Sequence, residues 1–235
     1  MKIDIEDEEE TKKSIEREII NDHERPPRIE EFEAKMDRPI PVIADAFEEL
    51  SKFISNNSND LQLRPFTEAC SLVPVLFGCL GFAFKFAEME YHTKLRDLIE
   101  ATKDYDSLKN VLDYDMEHDT VRKPGSLSRN LRRVRQGLDL IRALFEQFLS
   151  MEDCSLREAA STAYAQVCAP FHSWAVRTAA YAGMYALPTR EQLLQKLNET
   201  DISVEKGMRR YIDASVPVIQ YIDKLYIDRK ISLDW

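Results

Sequence analysis

The residues whose types and spacing point most directly to chemistry lie in the stretch 121–142. It carries seven basic side chains and one acid, although the whole chain has a net charge of −10. Arg129 and Arg133 are four residues apart, so in a helix they lie on one face. Each guanidinium presents a planar fork of N–H donors that matches the oxygens of a phosphate or carboxylate group. The pair therefore indicates an anion-binding site, with a solvated basic helix face as the alternative.

The same helix face becomes apolar further along, where Leu140 and Leu144 follow the two arginines. A second apolar stripe runs down another side of the helix at alternating steps of four and three: Leu127, Leu131, Val134, Leu138, Ile141, Phe145 and Phe148. A helix that is apolar on two sides packs against neighbours on both. Arginines at the mouth of a leucine-lined face suit an anion whose other end is apolar; ordinary core packing is the alternative for the two leucines.

Three further polar residues have two interpretations each. Glu90 and Lys94 are four residues apart, and such a pair is commonly an exposed ion pair worth only tenths of a kcal/mol. His172 begins a predicted helix in an apolar neighbourhood. It is either a core histidine that bonds a backbone carbonyl or a neutral donor to a ligand carbonyl. Together with the arginines, these residues would line one polar mouth above an apolar interior.

The elements that must position these residues are helices. Long stretches repeat with helical period and strand-like alternation is scarce, so the sequence predicts an all-α fold of about eight helices. The predicted helices cover residues 43–54, 67–101, 107–120, 126–150, 156–168, 171–187, 190–197 and 201–228. The second is uncharged from Ala69 to Phe84. That run is shorter than the roughly 20 residues of a bilayer span, so we predict a buried core helix that bends at Pro74.

The composition argues against several classes of function. The chain has 235 residues, 44% of them hydrophobic, and its acidic balance argues against nucleic-acid binding and indiscriminate adhesion to anionic membranes. The sequence contains no GxSxG, HExxH, GxGxxG or phosphate-binding glycine loop, so we expect no enzyme activity, metal or cofactor. Its four cysteines form no CxxC pair and no signal peptide precedes them, which predicts reduced thiols in a cytoplasmic protein.

The N-terminal region differs from the rest of the chain. Residues 1–33 hold thirteen acids and six bases, a net charge of −7. We predict that residues 1–38 form an acidic, poorly ordered tail and that residues 39–235 form the folded domain. Glu31-Phe32-Glu33-Ala34 loosely resembles the acidic phenylalanine motif that tethers lipid-transfer proteins to the endoplasmic reticulum. A protein partner that binds the tail is therefore one alternative for its role.

Four segments, taken in order, resemble the glycolipid transfer protein superfamily, and most closely its plant accelerated-cell-death and ceramide-1-phosphate transfer branch. The segments are RPFTEACSLVPVLFGCLGFAFKFAEMEYHTKL, SRNLRRVRQGLDLIRALFEQ, AYAQVCAPFHSWAVR and MYALPTRE. The resemblance covers about residues 43–235. It implies a two-layer, all-helical sandwich that encloses the hydrocarbon chains of a lipid, with a surface site for the head group.

The resemblance also implies roles for individual residues. The family's acid that bonds the ceramide amide falls on Glu90, and the histidine that donates to the acyl carbonyl falls on His172. The phosphate-binding positions of the ceramide-1-phosphate branch fall on Lys94, Arg129 and Arg133. Further expectations are Arg122 as an additional phosphate ligand and Leu140 and Leu144 as lining of the chain pocket. One departure is that the family usually has aspartate at the position of Glu90.

The resulting hypothesis is a monomeric carrier or sensor that transfers ceramide-1-phosphate between membranes and touches membrane surfaces only transiently. It holds the phosphate in a basic surface site and the chains in an apolar pocket. The alternative is a non-transferring regulatory or adaptor protein of the same fold, in which Glu90 weakens the lipid site and the tail is the binding element.

Overall fold

The computed structural model describes residues 37–56, 60–81, 84–150 and 155–235. Within these ranges the fold from Arg38 onward contains ten α-helices. They are α1 (Pro39–Ser55), α2 (Leu63–Cys70), α3 (Pro74–Cys79), α4 (Lys85–Ala101), α5 (Leu108–Glu117), α6 (Leu127–Ser150), α7 (Leu156–Val167), α8 (Trp174–Gly183), α9 (Arg190–Lys196) and α10 (Asp201–Asp228). The described residues form no β-strand beyond an isolated bridge between Gln62 and Ser107. The predicted all-α class is confirmed.

The helices form two packed groups joined through α6. Helix α10 lies along α1, while α6 packs against α4 and α7; a contact between α10 and α6 brings the two groups together. Two buried tyrosines of α10 strengthen this contact, since Tyr211 donates to the carbonyl of Leu138 at 3.2 Å and Tyr226 donates to the carbonyl of Ser128. The backbone of α6 is thereby tied to α10 near its start and near its middle.

Helix α6 has the two apolar sides that the sequence predicts. Leu131, Val134, Leu138, Ile141, Phe145 and Phe148 are buried, and so are Leu140 and Leu144 on the face that carries the arginines. The start of the helix is held by two acceptors outside it. Ser126 Oγ accepts from the N–H of Arg129 at 3.2 Å, and Asp115 Oδ2 accepts from the N–H of Ser128 at 2.7 Å. Both bonds satisfy N–H groups that have no partner inside the helix.

The prediction of one long helix over residues 67–101 is wrong, because this stretch holds three helices. Helix α2 ends at Cys70, and α3 begins at Pro74, where proline fits because its missing N–H would have no partner in a first turn. Beyond α3, Gly81 has φ +85°, a left-handed conformation that ends a helix and that glycine adopts without strain. Helix α4 then begins at Lys85. No helix of the described residues is long and apolar enough to cross a membrane.

The prediction of one helix over residues 171–187 is also wrong. The segment consists of a 3-10 turn at Ala169–Phe171, helix α8, and a second 3-10 turn at Met184–Ala186. His172 is extended, and Ser173 caps α8 by accepting from the N–H of Val176. The cap explains why the helix starts at Trp174, since Ser173 satisfies an N–H of the first turn only from a non-helical conformation.

The described part of the chain begins close to the predicted boundary between tail and domain. Helix α1 begins at Pro39, earlier than the predicted start at 43, because prolines are tolerated in a first helical turn. Arg38 donates to both carboxylate oxygens of Glu199. The remaining residues of the predicted tail, including the motif at 31–34, lie outside the described residues apart from Asp37. The tail and its partner therefore stay predictions.

Candidate functional site

The site begins where α4 and α6 approach most closely. A Cβ atom on Gly137 would lie 2.5 Å from Cδ2 of Tyr91, so only glycine lets the Tyr91 ring lie on α6. The hydroxyl of Tyr91 donates to the carbonyl of Cys70 at 3.2 Å, which fixes the ring from its other end. This contact holds the turn of α4 that carries Glu90 against the turn of α6 that carries Arg133.

Arg133 is half-buried and oriented by a chain of hydrogen bonds. Its Nη1 donates to Gln136 Oε1 at 2.8 Å, and Gln136 Nε2 donates to the carbonyl of Val167 at 3.0 Å. Burial lowers the pKa of the Arg133 guanidinium and the charge of Arg129 lowers it further, whereas Cys168 and Glu90 act in the opposite direction. Arg133 is thus within electrostatic range of residues from α4, α6 and the end of α7.

Arg129 lies one turn earlier on the same face and is anchored by the loop before α6. Its Nη1 donates to the carbonyl of Arg122 at 2.7 Å. In the part of the chain that the structure describes, neither Arg129 nor Arg133 has a carboxylate oxygen within 4 Å. Two neighbouring guanidinium groups without a counter-ion form a site that an anion would complete.

Glu90 and Lys94 lie on the α4 side of this group. The Lys94 Nζ is 4.0 Å from Glu90 Oε2, the outer limit of an ion pair, with the two side chains 26% and 56% exposed, respectively. An exposed pair at that distance contributes little to stability. Both side chains therefore stay available to other partners at the edge of the site.

His172 lies against Tyr164 at the end of α7. The Tyr164 hydroxyl is 2.8 Å from His172 Nδ1. Burial lowers the pKa of His172 and the nearby Arg133 lowers it further, so the imidazole is neutral at pH 7. Burial raises the pKa of Tyr164 to about 12, so its hydroxyl keeps its proton. In the tautomer in which Nδ1 accepts from the Tyr164 hydroxyl, the imidazole proton is on Nε2, and that atom can donate to a ligand.

Arg122 is placed differently from the other predicted anion ligands. Its backbone carbonyl accepts from Arg129, but its guanidinium points to the C-terminal segment. There, Nη2 lies 3.3 Å from Asp234 Oδ1, and the group stacks 5.5 Å from the centre of the Trp235 ring. The structure therefore brings Glu90, Lys94, Arg129, Arg133 and His172 together and holds the Arg122 side chain at their margin.

An apolar cavity lies further along α6. Its lining comes from α3, α6, α7, α9, α10 and adjoining turns: Leu76, Leu80, Ile141, Leu144, Phe145, Phe148, Leu156, Leu193, Leu197 and Met208. Its volume is about 10 Å³, close to the smallest space that admits one water. Leu144 lines this cavity, whereas Leu140 is buried but is not among the lining residues. A larger apolar guest would have to push these side chains apart.

Sequence reasoning missed the residues that hold the site in shape. These residues are Gln136, which contacts Arg133; Gly137, which makes room for Tyr91; and Tyr164, which contacts His172. None of them stands in a sequence pattern that would have singled it out. The described residues also offer no metal site, because no group of three or more His, Cys, Asp or Glu side chains is placed to hold a metal ion.

The fold and the site together define a class of helical protein in which basic side chains lie near the start of a central helix and apolar side chains line a small cavity further along it. Comparison with known families assigns the class, since the family model described as "Glycolipid transfer protein" matches residues 61–199, more than half of the chain. The chain belongs to the glycolipid transfer protein family, and its predicted fold is confirmed.

Individual relatives narrow the assignment. A homolog of accelerated cell death 11 from Arabidopsis thaliana is 62% identical over 209 residues, covering 86% of this chain and 91% of the relative. Accelerated cell death 11 itself, from the same plant, is 44% identical and covers 86% of this chain and 99% of its own length. Among solved structures, an aspartate-to-asparagine variant of that Arabidopsis protein in complex with C12 ceramide-1-phosphate has a TM-score of 0.82 at 44% identity. The match covers 84% of this chain and 98% of the other.

Proposed function

We propose that this protein transfers a phosphorylated ceramide between membranes by holding one lipid molecule at a time. The observation that carries the proposal is the Arg129–Arg133 pair, which has no carboxylate within 4 Å in the described residues and shares its helix face with buried leucines. A relative with 44% identity and the same fold is known in complex with ceramide-1-phosphate.

The phosphate group would occupy the space between α4 and the start of α6. Arg129 and Arg133 offer forked donors there, and Lys94 adds a cation from the facing helix. Hydrogen bonds to charged groups contribute about 1.5–3 kcal/mol each, so several of them give a large preference for phosphate over a neutral sugar. Arg122 would join only by leaving Asp234.

The amide of the ceramide would lie between Glu90 and His172. Glu90 accepts from the amide N–H, and His172 Nε2 donates to the acyl carbonyl, because Tyr164 occupies the other ring nitrogen. In a dry site an unpaired amide group costs about 1–3 kcal/mol, so this pair of contacts selects a sphingolipid amide over an ester-linked lipid. Glu90→Gln tests the first contact by removing the charged acceptor.

The hydrocarbon chains would enter along Leu140 and Leu144 and open the cavity beyond them. Each buried methylene group contributes roughly 0.8 kcal/mol relative to water, which offsets the work of moving the cavity walls apart. Since the lipid is bound and released without a change in any covalent bond, the proposed activity is carriage and not catalysis.

Contact with a membrane would use the exposed aromatic residues near His172. Trp174 and Tyr185 are largely exposed on and beside α8, two residues and thirteen residues beyond the imidazole. Tryptophan and tyrosine favour the boundary between lipid and water because each has an apolar body and a polar tip. Transient docking through this surface would place the mouth of the site at the lipid head groups.

The decisive experiment is vesicle-to-vesicle transfer of fluorescent ceramide-1-phosphate beside fluorescent galactosylceramide, which carries the same ceramide under a neutral sugar. We expect transfer of the phosphate lipid at least tenfold faster, roughly the value of one charge-assisted hydrogen bond. Equal rates would overturn the phosphate assignment. Transfer of neither lipid by well-folded protein would overturn the carrier function.

A further inference from the structure

The apolar cavity lies at a depth that matches the chains of a membrane lipid. Ile141 and Phe148, which line it, are 8 and 15 residues beyond Arg133 on α6. At 1.5 Å per residue they lie roughly 12 and 22 Å from that arginine along the helix. Half of the hydrocarbon core of a bilayer measures roughly 15 Å. A chain that extends from a head group at Arg133 therefore reaches the cavity, and Phe148 is the lining residue of α6 that lies farthest from that arginine.

Phe148 is held differently from the other lining residues. The Phe148 ring lines the cavity and lies 4.4 Å under the guanidinium of Arg190. Arg190 is in turn fixed by Asp201, whose Oδ1 accepts from Nε at 3.0 Å and lies 2.9 Å from Nη2. A cation over an aromatic face is attracted to it, so the ring is held in place from outside the cavity.

The side walls lack such a brace. They consist of leucines, Ile141, Phe145 and Met208, and among the described residues no cation lies over the Phe145 ring, which packs against Tyr211 instead. The leucines and Met208 have flexible side chains that can repack around a guest. A lipid chain can therefore widen the cavity more easily than lengthen it. Given the proposed carriage of a ceramide lipid, we propose that Phe148, positioned by Arg190 and Asp201, is the end stop that sets the longest hydrocarbon chain this protein accepts.

The test compares transfer of two ceramide-1-phosphates that differ only in the acyl chain, one with 12 carbons and one with 24. Phe148→Leu shortens the stop while keeping the residue apolar. We expect it to raise the ratio of 24-carbon to 12-carbon transfer about tenfold, since each methylene placed in apolar surroundings is worth roughly fourfold. The matched control is Phe47→Leu, because Phe47 is also a buried phenylalanine but is not among the residues that line the cavity. It should leave the ratio unchanged.

Arg190 provides a second variant, because its side chain is partly exposed and is not itself part of the apolar core. Arg190→Ala releases the outer face of the Phe148 ring, and we expect the ratio to rise about threefold, the value of a modest cation–aromatic contact. Arg190→Lys keeps a cation above the ring and beside Asp201, so it should restore most of the wild-type ratio. A residue that only stabilised the fold would lower both rates and leave their ratio constant.

The outcomes separate this inference from the proposed function. If the wild-type protein transfers neither lipid, the proposed function fails. If it transfers ceramide-1-phosphate but Phe148→Leu and Arg190→Ala both leave the ratio within twofold of wild type, the end stop is overturned and the function stands. Should Phe148→Leu fail to fold, as judged by circular dichroism, the Arg190 variants decide the question.

Discussion

Helix α6 carries arginines on two sides, and their surroundings differ. On one side, Arg132, Arg135 and Arg142 are matched with acids. Asp223 contacts both Arg132 and Arg135, while Asp139 lies 2.6 Å from both Arg135 and Arg142. On the other side, the acceptors of Arg129 and Arg133 among the described residues are neutral oxygens, the carbonyl of Arg122 and the amide of Gln136, respectively.

The contrast shows that the presence of arginines is not by itself evidence of a binding site. The matched arginines are satisfied within the protein and tie α6 to α10 through Asp223. The unmatched pair brings two positive charges together, and each half-buried guanidinium lacks a counter-ion among the described residues. Such an arrangement opposes folding and is retained where an external anion completes it.

Arg133→Leu tests the difference between the two sides of α6 most directly. Transfer of ceramide-1-phosphate should fall about 100-fold, because at least two charge-assisted hydrogen bonds are lost. The melting temperature should stay constant or rise, since a like-charge repulsion is removed. Vesicle transfer and thermal unfolding measure both effects, with the exposed Arg64→Leu as the control of equal charge change. Undiminished transfer would show that Arg133 does not bind the head group.

Asp223→Ala tests the matched side. It leaves Arg132 and Arg135 without their shared carboxylate at mostly buried positions, so the free energy of unfolding should fall by about 3 kcal/mol. Urea denaturation measures the loss. Transfer per folded molecule at low temperature should remain near wild type. A selective loss of transfer at full stability would contradict the division of the helix into two sides.

The pKa of His172 reports the positive field of the unmatched side. Arg133→Leu should raise that pKa, although burial should still hold it below the ordinary 6.5. Because folding lowers the pKa of this histidine, the folded state loses stability as the pH falls from 6.5 through the folded-state value. NMR titration of the imidazole follows the shift. An unchanged pKa in the variant would place Arg133 too far from His172 to share a ligand.

Asp234→Asn should change transfer only modestly. It weakens an exposed ion pair, which contributes little to stability, and frees the Arg122 guanidinium. If Arg122 is a phosphate ligand, the transfer rate should rise about twofold to fivefold. No rise, or a fall, would indicate that Arg122 belongs to the matched class of arginines.

Removal of residues 1–36 should have the smallest effect. The proposed head-group and amide ligands all lie from Glu90 to His172, and the cavity lining lies from Leu76 to Met208, so transfer should stay within about twofold of wild type. Vesicle transfer by the shortened protein measures this directly. A complete loss would favour the alternative in which the tail is the functional element.

The sequence predicted the parts of this architecture that depend on local signals. Helices α6 and α10 begin within one residue of their predicted starts, because Ser126 and Thr200 supply hydroxyl acceptors just before strongly periodic segments. The run from 69 to 84 is uncharged, so no alternation of polar and apolar faces shows where one helix ends and the next begins. Its division into separate helices could therefore not be predicted.

Contacts between residues that are far apart in sequence could not be predicted either. Arg135 and Asp223 are 88 residues apart, and nothing in the spacing of the basic run separates Arg135 from Arg133. The four-residue spacing and the resemblance to a known family both pointed to Arg129 and Arg133, and the structure supplies the physical difference between them and their neighbours. Tyr164, whose hydroxyl contacts Nδ1 of His172, lies at a separation in sequence that no spacing rule singles out.

The close approach of Tyr91 and Gly137 has a consequence for how this protein can change over generations. Residue 137 touches no proposed ligand, yet an added methyl group there would overlap the Tyr91 ring. A larger residue at 137 becomes acceptable only after a smaller one has replaced Tyr91, so the order of the two substitutions matters. In descendants of this sequence, the two positions should vary together or remain fixed.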